Sequence, residues 1–513
     1  MTVVASGGGG DAVGGNIGLI AMLADKVGVG EAAIRLLFTL FAGYPIAFIY
    51  RFLIQPQSSK PVHHIFFALC GFGLCFFNYG FDTYHSLISI WITYLLVRLL
   101  HNNTRQLVAI NFVFHMAYLL TGYYFTESNE YDILWTTPQC VLTLRMIGFA
   151  FDIADGRKPR EKLSKDQQEC ALEQIPSLLE LSAYAYFPSS FLIGPQFPFK
   201  RYQRFINGEY AQYKGFVKAG LTRLLVGLLY LAVRQVGAML FPDNYFLTDA
   251  YRNQPFFWRL IYLGLWAKFS LYKYISCWLL TEGGLMSLGF TYNGKAADGS
   301  EEWNGCSNVK LYLLETGNTM EHYVKSFNVN TNQWVASYVY KRLKFLNNRT
   351  ISYAAALFFL AVWHGFHTGY YMSFFIEYMI VTTEKQIEGV YNKSVVTNYA
   401  SLVETLPFKV IKFIALKSYN LIYMGWCLTP FIFLSYERWI EVFKAVNYFG
   451  FVYVAIWFVI YKITKAMSSK SRLKQERIAS KATDLSPTIN EHRTTDSKAT
   501  DLSPTLEENK KDN

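Results

Sequence analysis

Charged residues are scarce in this chain of 513 residues. Asp, Glu, Lys and Arg together make up 17% of it, whereas a soluble domain usually carries about a quarter. Hydrophobic residues reach 52% and aromatic residues 18%. A chain of this composition has too little polar surface to cover a soluble core of its size, which excludes an ordinary soluble globular protein.

Paired cysteines and a secretory leader are also lacking. The seven cysteines form no Cys-x-x-Cys pair and no Cys/His spacing typical of zinc sites. Most lie in apolar runs, so we expect them to be small buried hydrophobic side chains. Residues 1–17 are Gly-rich and polar, and the first apolar run is too long for the hydrophobic region of a signal peptide. No secretory signal is therefore predicted.

Long apolar runs, by contrast, are abundant. A helix needs about 20 residues to cross roughly 30 Å of hydrocarbon, and the runs lack the alternating pattern of a membrane β-barrel. The sequence therefore predicts an all-α fold, a polytopic membrane helical bundle with roughly ten or eleven crossings. The candidate crossings are residues 32–54, 65–81, 86–100, 106–125, 134–153, 178–199, 221–240, 256–280, 351–380, 410–434 and 449–463.

Composition divides the chain into three parts. Residues 1–31 are predicted to be a polar, disordered N-terminus, residues 32–464 the membrane domain, and residues 465–513 a disordered tail. Basic residues beside the last apolar run favour a cytosolic tail. The tail ends with Lys510 and Lys511, which resemble a dilysine retrieval signal and predict the endoplasmic reticulum membrane. The net charge of +11 follows from such flanks and does not indicate nucleic-acid binding.

Ionisable residues within apolar runs are costly in a bilayer and are candidates for function. We expect them to enclose a polar cavity, although the long side chains of lysines near helix ends can instead reach back to the membrane interface. The candidates are Arg145, Asp152, Glu180, Lys268, Lys273, Glu282 and His364.

His364 lies far inside the predicted helix of residues 351–380, next to Trp363 and Gly365. An imidazole has an ordinary pKa of about 6.5 and can accept a proton at physiological pH, so His364 is a candidate general base. A structural histidine with a hydrogen bond is the alternative. His367 follows on a neighbouring helix face, but a metal pair would lack a third ligand, so no metal is predicted.

A stretch rich in amide side chains precedes this helix, at residues 326–334. Neutral amide donors can polarise a carbonyl group without adding charge to the membrane. An ordinary polar loop that caps a helix would have the same composition. Asn328, which follows Phe327, is one of these amide residues.

With these residues in place, the sequence resembles the membrane-bound O-acyltransferase (MBOAT) family. The resemblance rests on Phe327-Asn328, on Trp363-His364-Gly365 some thirty residues later, and on Gly194-Pro195-Gln196-Phe197 upstream. Many members have Trp where Phe327 stands, so an aromatic residue is kept. The resemblance implies an MBOAT fold of roughly 10–12 transmembrane helices that encloses a catalytic cavity. It also implies that His364 and Asn328 are the catalytic residues.

Several stretches are similar to the lysophosphatidylcholine acyltransferase branch of the family, namely residues 116–124, 140–144, 176–180, 327–332 and 340–345. This similarity implies transfer of a long, often polyunsaturated, acyl chain from acyl-CoA to the sn-2 hydroxyl of a lysophospholipid, chiefly lysophosphatidylcholine, in phospholipid remodelling. Acyl-CoA would be a cosubstrate, and no cofactor or metal is predicted. The expected partners are these substrates and membrane lipids, without nucleic acid; a homo-oligomer is left open.

Other acceptors and another class of protein stay open at this point. Family members that acylate a sterol, a diacylglycerol or a protein use the same Asn and His, so those two residues do not choose the acceptor. A transporter is the alternative outside the family, but the membrane domain shows no convincing internal repeat of the kind many transporters have. Lys341, Arg342 and Lys344 are candidates, by position, to bind the phosphates of CoA.

Overall fold

The computed structural model describes residues 18–56, 59–126, 128 and 133–484. Across these residues the secondary structure is helical, apart from one isolated bridge between Lys295 and Glu301. The predicted all-α class is therefore confirmed. The predicted dilysine signal at Lys510 and Lys511 lies outside the described residues.

The α-helices follow one another along the chain with short connections. In chain order they are α1 (Leu19–Val27), α2 (Glu31–Ile49), α3 (Lys60–Tyr79), α4 (Tyr84–Leu100), α5 (Thr104–Thr126), α6 (Thr136–Asp155), α7 (Lys165–Cys170), α8 (Leu178–Ala185), α9 (Phe199–Ile206), α10 (Phe216–Leu240), α11 (Asp249–Arg252), α12 (Phe256–Ser287), α13 (Leu311–Thr316), α14 (Met320–Ser326), α15 (Val329–Val335), α16 (Arg349–His364), α17 (Thr368–Tyr391), α18 (Ala400–Val403), α19 (Leu406–Phe433), α20 (Tyr436–Ala445) and α21 (Phe449–Asp484). Shorter 3₁₀ and π turns extend or link them at Tyr50–Ile54, Gly80–Thr83, Arg160–Lys162, Asp243–Leu247, Ala336–Tyr340, Lys341–Leu346 and Asn392–Val396.

Within the described part of the chain, five helical stretches are long and apolar enough, by length and composition, to cross a bilayer. They are Glu31–Ile54, Lys60–Leu100, Thr104–Thr126, Phe216–Leu247 and Phe449–Lys470. Each coincides with predicted apolar runs. Together they make the chain a multi-pass membrane protein, in which apolar side chains that face outward, such as Phe38 and Leu225, have lipid as their solvent.

Two of the long helices, α10 and α12, approach each other closely at small residues. A Cβ atom added at Gly220 would lie 2.1 Å from the hydroxyl of Ser287, and one at Gly237 would lie 2.3 Å from the ring of Phe269. Membrane helices lack a hydrophobic driving force for association, so close packing at small residues has to supply it. The C-terminal part of α12, from Trp278 to Ser287, is buried throughout.

The predicted crossing at residues 178–199 is wrong. Only α8 forms there, and the chain then runs through turns and a cis peptide bond at Gly194-Pro195 before α9 begins. Prolines at positions 188, 195 and 198 cannot donate helical hydrogen bonds, which stops a continuous helix. Irregular backbone is tolerated at membrane depth only where protein buries it, and this segment is buried almost throughout.

The predicted crossing at residues 351–380 is also interrupted. Helix α16 ends at His364, and α17 begins at Thr368. Gly365 between them has φ +125° and ψ −161°, a conformation that a residue with a Cβ atom rarely adopts. His364 is therefore the last residue of a helix, and His367 precedes the next helix instead of sharing one with it.

Both termini are more helical than predicted. Helix α1 occupies part of the N-terminus predicted to be disordered, because its apolar residues recur at helical spacing and Gly28 caps its end in the left-handed conformation. Residues 465–484, predicted as the start of the tail, continue α21, since they contain good helix formers and neither proline nor glycine. The chain divides into two units, Met1–Val454 and Ala455–Asn513; the described residues of the second all belong to α21.

Candidate active site

A cavity of about 1030 Å³ lies within the first unit. Its walls come from the irregular segment at residues 192–196 and from helices α2, α5, α6, α10, α12, α14, α15, α16, α17 and α19. Most of the lining is apolar. The volume lies at the upper end of the range of about 300–1,000 Å³ that is usual for small-ligand cavities. The polar residues that reach it and matter for chemistry are Lys273, Asn308, Asn328, His364, His367 and Glu377.

Asn328 stands at the N-terminus of α15 with φ +49° and ψ 44°. Asn is one of the few residues that visit this left-handed region readily. Its side-chain oxygen accepts a hydrogen bond of 3.1 Å from the side-chain nitrogen Nδ2 of Asn308. The backbone carbonyl of Asn308 accepts from Val329 N at 2.9 Å. Because the oxygen is held, the Asn328 NH₂ group is the part available as a donor; it makes no hydrogen bond to the described residues.

Behind Asn308 lies a buried carboxylate. Oε1 of Glu282 accepts hydrogen bonds from Asn308 N at 2.6 Å and Val309 N at 3.1 Å. Its other oxygen is 3.0 Å from Nε of Arg223. Glu282 does not line the cavity. It holds the backbone at Asn308, which in turn orients Asn328.

The other amides of the Asn-rich stretch serve the backbone. Asn330 Nδ2 donates to the Cys306 carbonyl at 3.2 Å, and its backbone NH donates to Asn308 Oδ1 at 3.1 Å. Asn332 Nδ2 donates to the carbonyls of Val324 and Phe327, both at 2.9 Å. For these two residues the polar loop interpretation holds, and Asn328 alone combines a fixed oxygen with a free amide group.

His364 has a defined tautomer. Nδ1 lies 3.0 Å from the carbonyl oxygen of Leu360, and a carbonyl only accepts hydrogen bonds, so Nδ1 carries the proton. Nε2 therefore bears the lone pair and is the basic atom of the ring. The imidazole is surrounded by the rings of Tyr370, Phe374 and Phe431, whose centroids lie 5.3, 5.5 and 5.1 Å away.

The end of α16 is anchored on both sides of this histidine. Trp363 Nε1 donates to the Cys140 carbonyl at 2.9 Å, and the Tyr123 hydroxyl donates to the Trp363 carbonyl at 3.3 Å. His367 also reaches the cavity, with its ring 5.9 Å from that of Tyr370. Among the described residues, no group of three His, Cys, Asp or Glu side chains could hold a metal ion.

Five of the seven predicted ionisable residues lie outside the cavity lining and have structural partners; one of them is Glu282, described above. Arg145 donates to five acceptors between Tyr184 and Pro195. Glu180 forms a capping box with Ser177 at the start of α8. The remaining contacts are Asp152 Oδ1 with the Tyr338 hydroxyl at 2.7 Å and Lys268 with Glu315 at 3.0 Å. Lys273 does line the cavity, with its ammonium 5.2 Å from the ring centre of Tyr274.

The basic residues expected to bind phosphate are largely engaged within the protein. Arg342 makes a two-pronged ion pair with Asp155 and lies over the ring of Phe151 at 4.7 Å. Lys341 pairs with Asp166. Since each cation already has a carboxylate partner, the structure gives no support to these two as phosphate ligands.

Two cavity residues escaped the sequence prediction. Asn308 ends a polar loop, and nothing local distinguishes it from other loop amides. Glu377 lies within a predicted apolar run, so the same cost of a membrane-buried charge that indicated His364 should have indicated it. It shares a helix face with Tyr370 and Phe374, which are seven and three residues away.

Arg145 is the buried cation that holds the irregular wall of the cavity. Its NH1 donates to the carbonyls of Tyr184 and Ala185, both at 3.1 Å. Its NH2 donates to Ser190 at 3.3 Å and to the Pro195 carbonyl at 3.4 Å. The guanidinium also lies 4.8 Å from the ring centre of Phe197. The Tyr184 and Ser190 carbonyls also accept from Phe187 N at 3.4 Å and Gly194 N at 3.1 Å. Those of Ala185 and Pro195 have no backbone donor among the described residues, so Arg145 supplies the donors that regular structure would have supplied.

Comparisons with known proteins give evidence on the family of the chain that does not depend on the geometry of the site. The model of the membrane-bound O-acyltransferase family matches residues 120–426, a range that contains both Asn328 and His364. The chain is 60% identical over 445 residues to "Lysophospholipid acyltransferase 5" of Drosophila melanogaster, which covers 86% of this chain and 90% of that protein. It is 38% identical over 460 residues to the human protein of the same name, covering 88% and 93%. A Saccharomyces cerevisiae protein named "Lysophospholipid acyltransferase" is 26% identical over 430 residues, covering 76% and 67%.

Replacement of Arg145 by Met should destabilise the protein. The apolar side chain fits a buried site but leaves the carbonyls of Ala185 and Pro195 without a donor, and each buried unsatisfied group costs about 1–3 kcal/mol. We expect a clear fall in the midpoint of thermal unfolding in detergent. Arg105→Met is the control, because Arg105 is exposed and makes no hydrogen bond through its side chain in the described part of the chain. Equal midpoints for the two variants would show that other contacts hold the segment.

Proposed function

The chain belongs to the membrane-bound O-acyltransferase family, and from that membership we propose that it is a lysophospholipid acyltransferase. It transfers a long acyl chain from acyl-CoA to the sn-2 hydroxyl of a lysophospholipid, chiefly lysophosphatidylcholine. The observation that carries the proposal is one membrane cavity that holds both the basic Nε2 of His364 and the free amide of Asn328. The names of the relatives favour a lysophospholipid over a sterol, a diacylglycerol or a protein as acceptor.

In this mechanism His364 is the general base. Nε2 takes the proton of the lipid hydroxyl as its oxygen attacks the carbonyl carbon of the thioester. The carbon–sulfur bond then breaks, and CoA leaves as a thiolate that receives the proton back from His364. One ester bond forms and one thioester bond is lost, so no cofactor or covalent enzyme intermediate is needed. The Leu360 carbonyl supports the step because it holds the ring in the tautomer that is basic at Nε2.

Asn328 stabilises the charge that develops on the thioester oxygen. Its NH₂ group is a neutral donor, held in place through Asn308 and Glu282. A preorganised donor of this kind costs no reorganisation when the oxyanion forms. The buried carboxylate of Glu282 is compensated by Arg223 and two backbone NH groups, which allows a rigid donor to stand in an apolar cavity.

The apolar lining suits a fatty acyl chain. Leu271, Leu360, Leu428, Phe374 and Phe431 all face the cavity, and burial of each methylene group is favourable by about 0.8 kcal/mol. The polyunsaturated preference is part of the proposal and rests on the resemblance to the family branch. The endoplasmic reticulum and a cytosolic C-terminus are likewise proposed from the dilysine pattern and the basic residues around α21.

The experiment is release of CoA thiol from arachidonoyl-CoA by the purified protein in detergent. With lysophosphatidylcholine present, the protein should release thiol and form phosphatidylcholine, whereas without it release should be low. The His364→Ala variant should lose about 10²–10⁴-fold in rate, because it lacks the base. No release with lysolipids of several headgroups would remove the lysophospholipid proposal, and an active, well-folded His364→Ala variant would remove His364 as the base.

Asn328→Gly separates the chemistry of the side chain from the needs of the backbone. Glycine accepts the left-handed conformation but has no amide donor, so we expect the rate to fall about 10²–10³-fold at unchanged thermal stability. Asn347→Gly is the matched control, because Asn347 also has φ +49° and lies outside the cavity lining. If both variants retained full activity, Asn328 would be a backbone residue only.

A further inference from the structure

One stripe of side chains on α17 runs from the base into the rest of the cavity. Tyr370, Ser373, Phe374 and Glu377 all line it, and their spacing places them on one helix face. The rings of Tyr370 and Phe374 pack around His364. Glu377 stands one turn beyond Phe374. The stripe therefore starts at the reacting centre and ends at a carboxyl group.

Glu377 has no protein partner in the described part of the chain. No hydrogen bond or ion pair joins its carboxyl group to any described residue. The other charged side chain that lines the cavity, Lys273 on α12, makes its cation–π contact with Tyr274. By contrast Glu384, two turns further along α17, accepts the backbone NH of Met320 at 3.0 Å and does not line the cavity.

An acidic group in an apolar membrane cavity is costly unless something compensates it. The other buried acids described above have compensating groups: Glu282 has Arg223 and two NH groups, Asp155 has Arg342 and Lys158, and Asp152 accepts from the Tyr338 hydroxyl. For Glu377 the open side is the cavity itself. The compensating group would therefore arrive with a ligand, and it would be a cation.

We propose that Glu377 and the aromatic residues beside it form the subsite for the cationic nitrogen of the lysophospholipid headgroup. This assignment rests on the proposed function. Aromatic rings and a carboxylate are the groups that bind choline and related ammonium ions. Glu377 would thus select lysophospholipids with a choline or ethanolamine headgroup over those that end in a neutral alcohol.

The dimensions agree with this assignment. Eight covalent bonds separate the sn-2 oxygen of lysophosphatidylcholine from its nitrogen, which gives a reach of about 10 Å when extended. From Tyr370, which contacts His364, to Glu377 the helix rises by about 10 Å, and from Phe374 by about 4–5 Å. A lipid with its hydroxyl at Nε2 of His364 can therefore place its nitrogen at Glu377 in an extended or a bent conformation.

The test compares headgroups at a fixed acyl-CoA concentration. Wild-type protein and Glu377→Gln are assayed in detergent with lysolipids that share one acyl chain and carry choline, ethanolamine or glycerol headgroups. We expect the substitution to raise KM about tenfold for the choline and ethanolamine lipids, since the charge attraction is lost while shape is kept. The kcat values, KM for acyl-CoA and KM for the glycerol lipid should stay within about twofold.

Two further variants separate specificity from folding. Glu377→Asp keeps the charge and should retain the preference for cationic headgroups. Glu384→Gln, the matched control on the same helix, should leave the ratio between headgroups unchanged even if it lowers thermal stability.

Two outcomes of the assay overturn the headgroup assignment alone. An equal fall in kcat for all headgroups would make Glu377 part of proton transfer. Unchanged KM values would leave it without a role in substrate choice. If wild-type protein transferred acyl chains to none of the lysolipids, the proposed function would fail as well.

Discussion

Irregular backbone inside a membrane has to find its hydrogen-bond partners within the protein, and the cavity depends on how this is done. Its wall at residues 192–196 belongs to an irregular segment with few backbone hydrogen bonds, and Arg145 donates to the carbonyls of Tyr184, Ala185 and Pro195. At the opposite break in helical structure, Trp363 and Tyr123 fix the chain just before Gly365. The breaks that create space for substrates are thus the places where buried polar side chains are concentrated.

The cost of placing charge in an apolar cavity also bears on the proposed acyl transfer. Asn328 and His364 are both neutral, so neither adds a charge to an apolar cavity, yet one is a fixed donor and the other a fixed acceptor. Each owes its orientation to one hydrogen bond: the amide oxygen to Asn308 and Nδ1 to the Leu360 carbonyl. In the proposed reaction the acyl donor is a thioester, which is already activated, so a positioned base and an oxyanion donor are sufficient for acyl transfer. In this part of the cavity Glu377 is the acidic side chain, and the proposed role of the cationic headgroup is to compensate its charge.

The apolar runs predicted the helices well where nothing interrupts them, as in α5, α6, α10 and α19. Hydropathy failed at residues 178–199 and 351–380 because it registers burial, and buried irregular backbone is as apolar as a buried helix. Breaks in these helices were indicated by the prolines at positions 188, 195 and 198 and by the glycine at position 365. The prediction gave more weight to the length of the apolar runs. The tail was misjudged for the opposite reason, since polar residues without proline can extend a helix that is already formed.

For the candidate site, the sequence located Asn328 and His364 but not what orients them. The partners Asn308 and Glu282 are 20 and 46 residues from Asn328 along the chain, and no local pattern joins residues brought together by folding. Ionisable residues in apolar runs were a mixed signal: Lys273 and His364 reach the cavity, whereas Arg145 and Asp152 stabilise the structure around it. A buried charge in a membrane protein needs a compensating group. It indicates a substrate site only when the protein itself does not supply that group.

The most direct test of the account is a cryo-EM structure of the protein with a lysophospholipid and an acyl-CoA analogue whose thioester is replaced by a non-transferable ketone. We predict the ketone oxygen within about 3.2 Å of Asn328 Nδ2 and the lipid hydroxyl within about 3.2 Å of His364 Nε2. Substrates bound with the carbonyl and the hydroxyl away from both side chains would contradict the central claim that these two residues act together on one reacting centre.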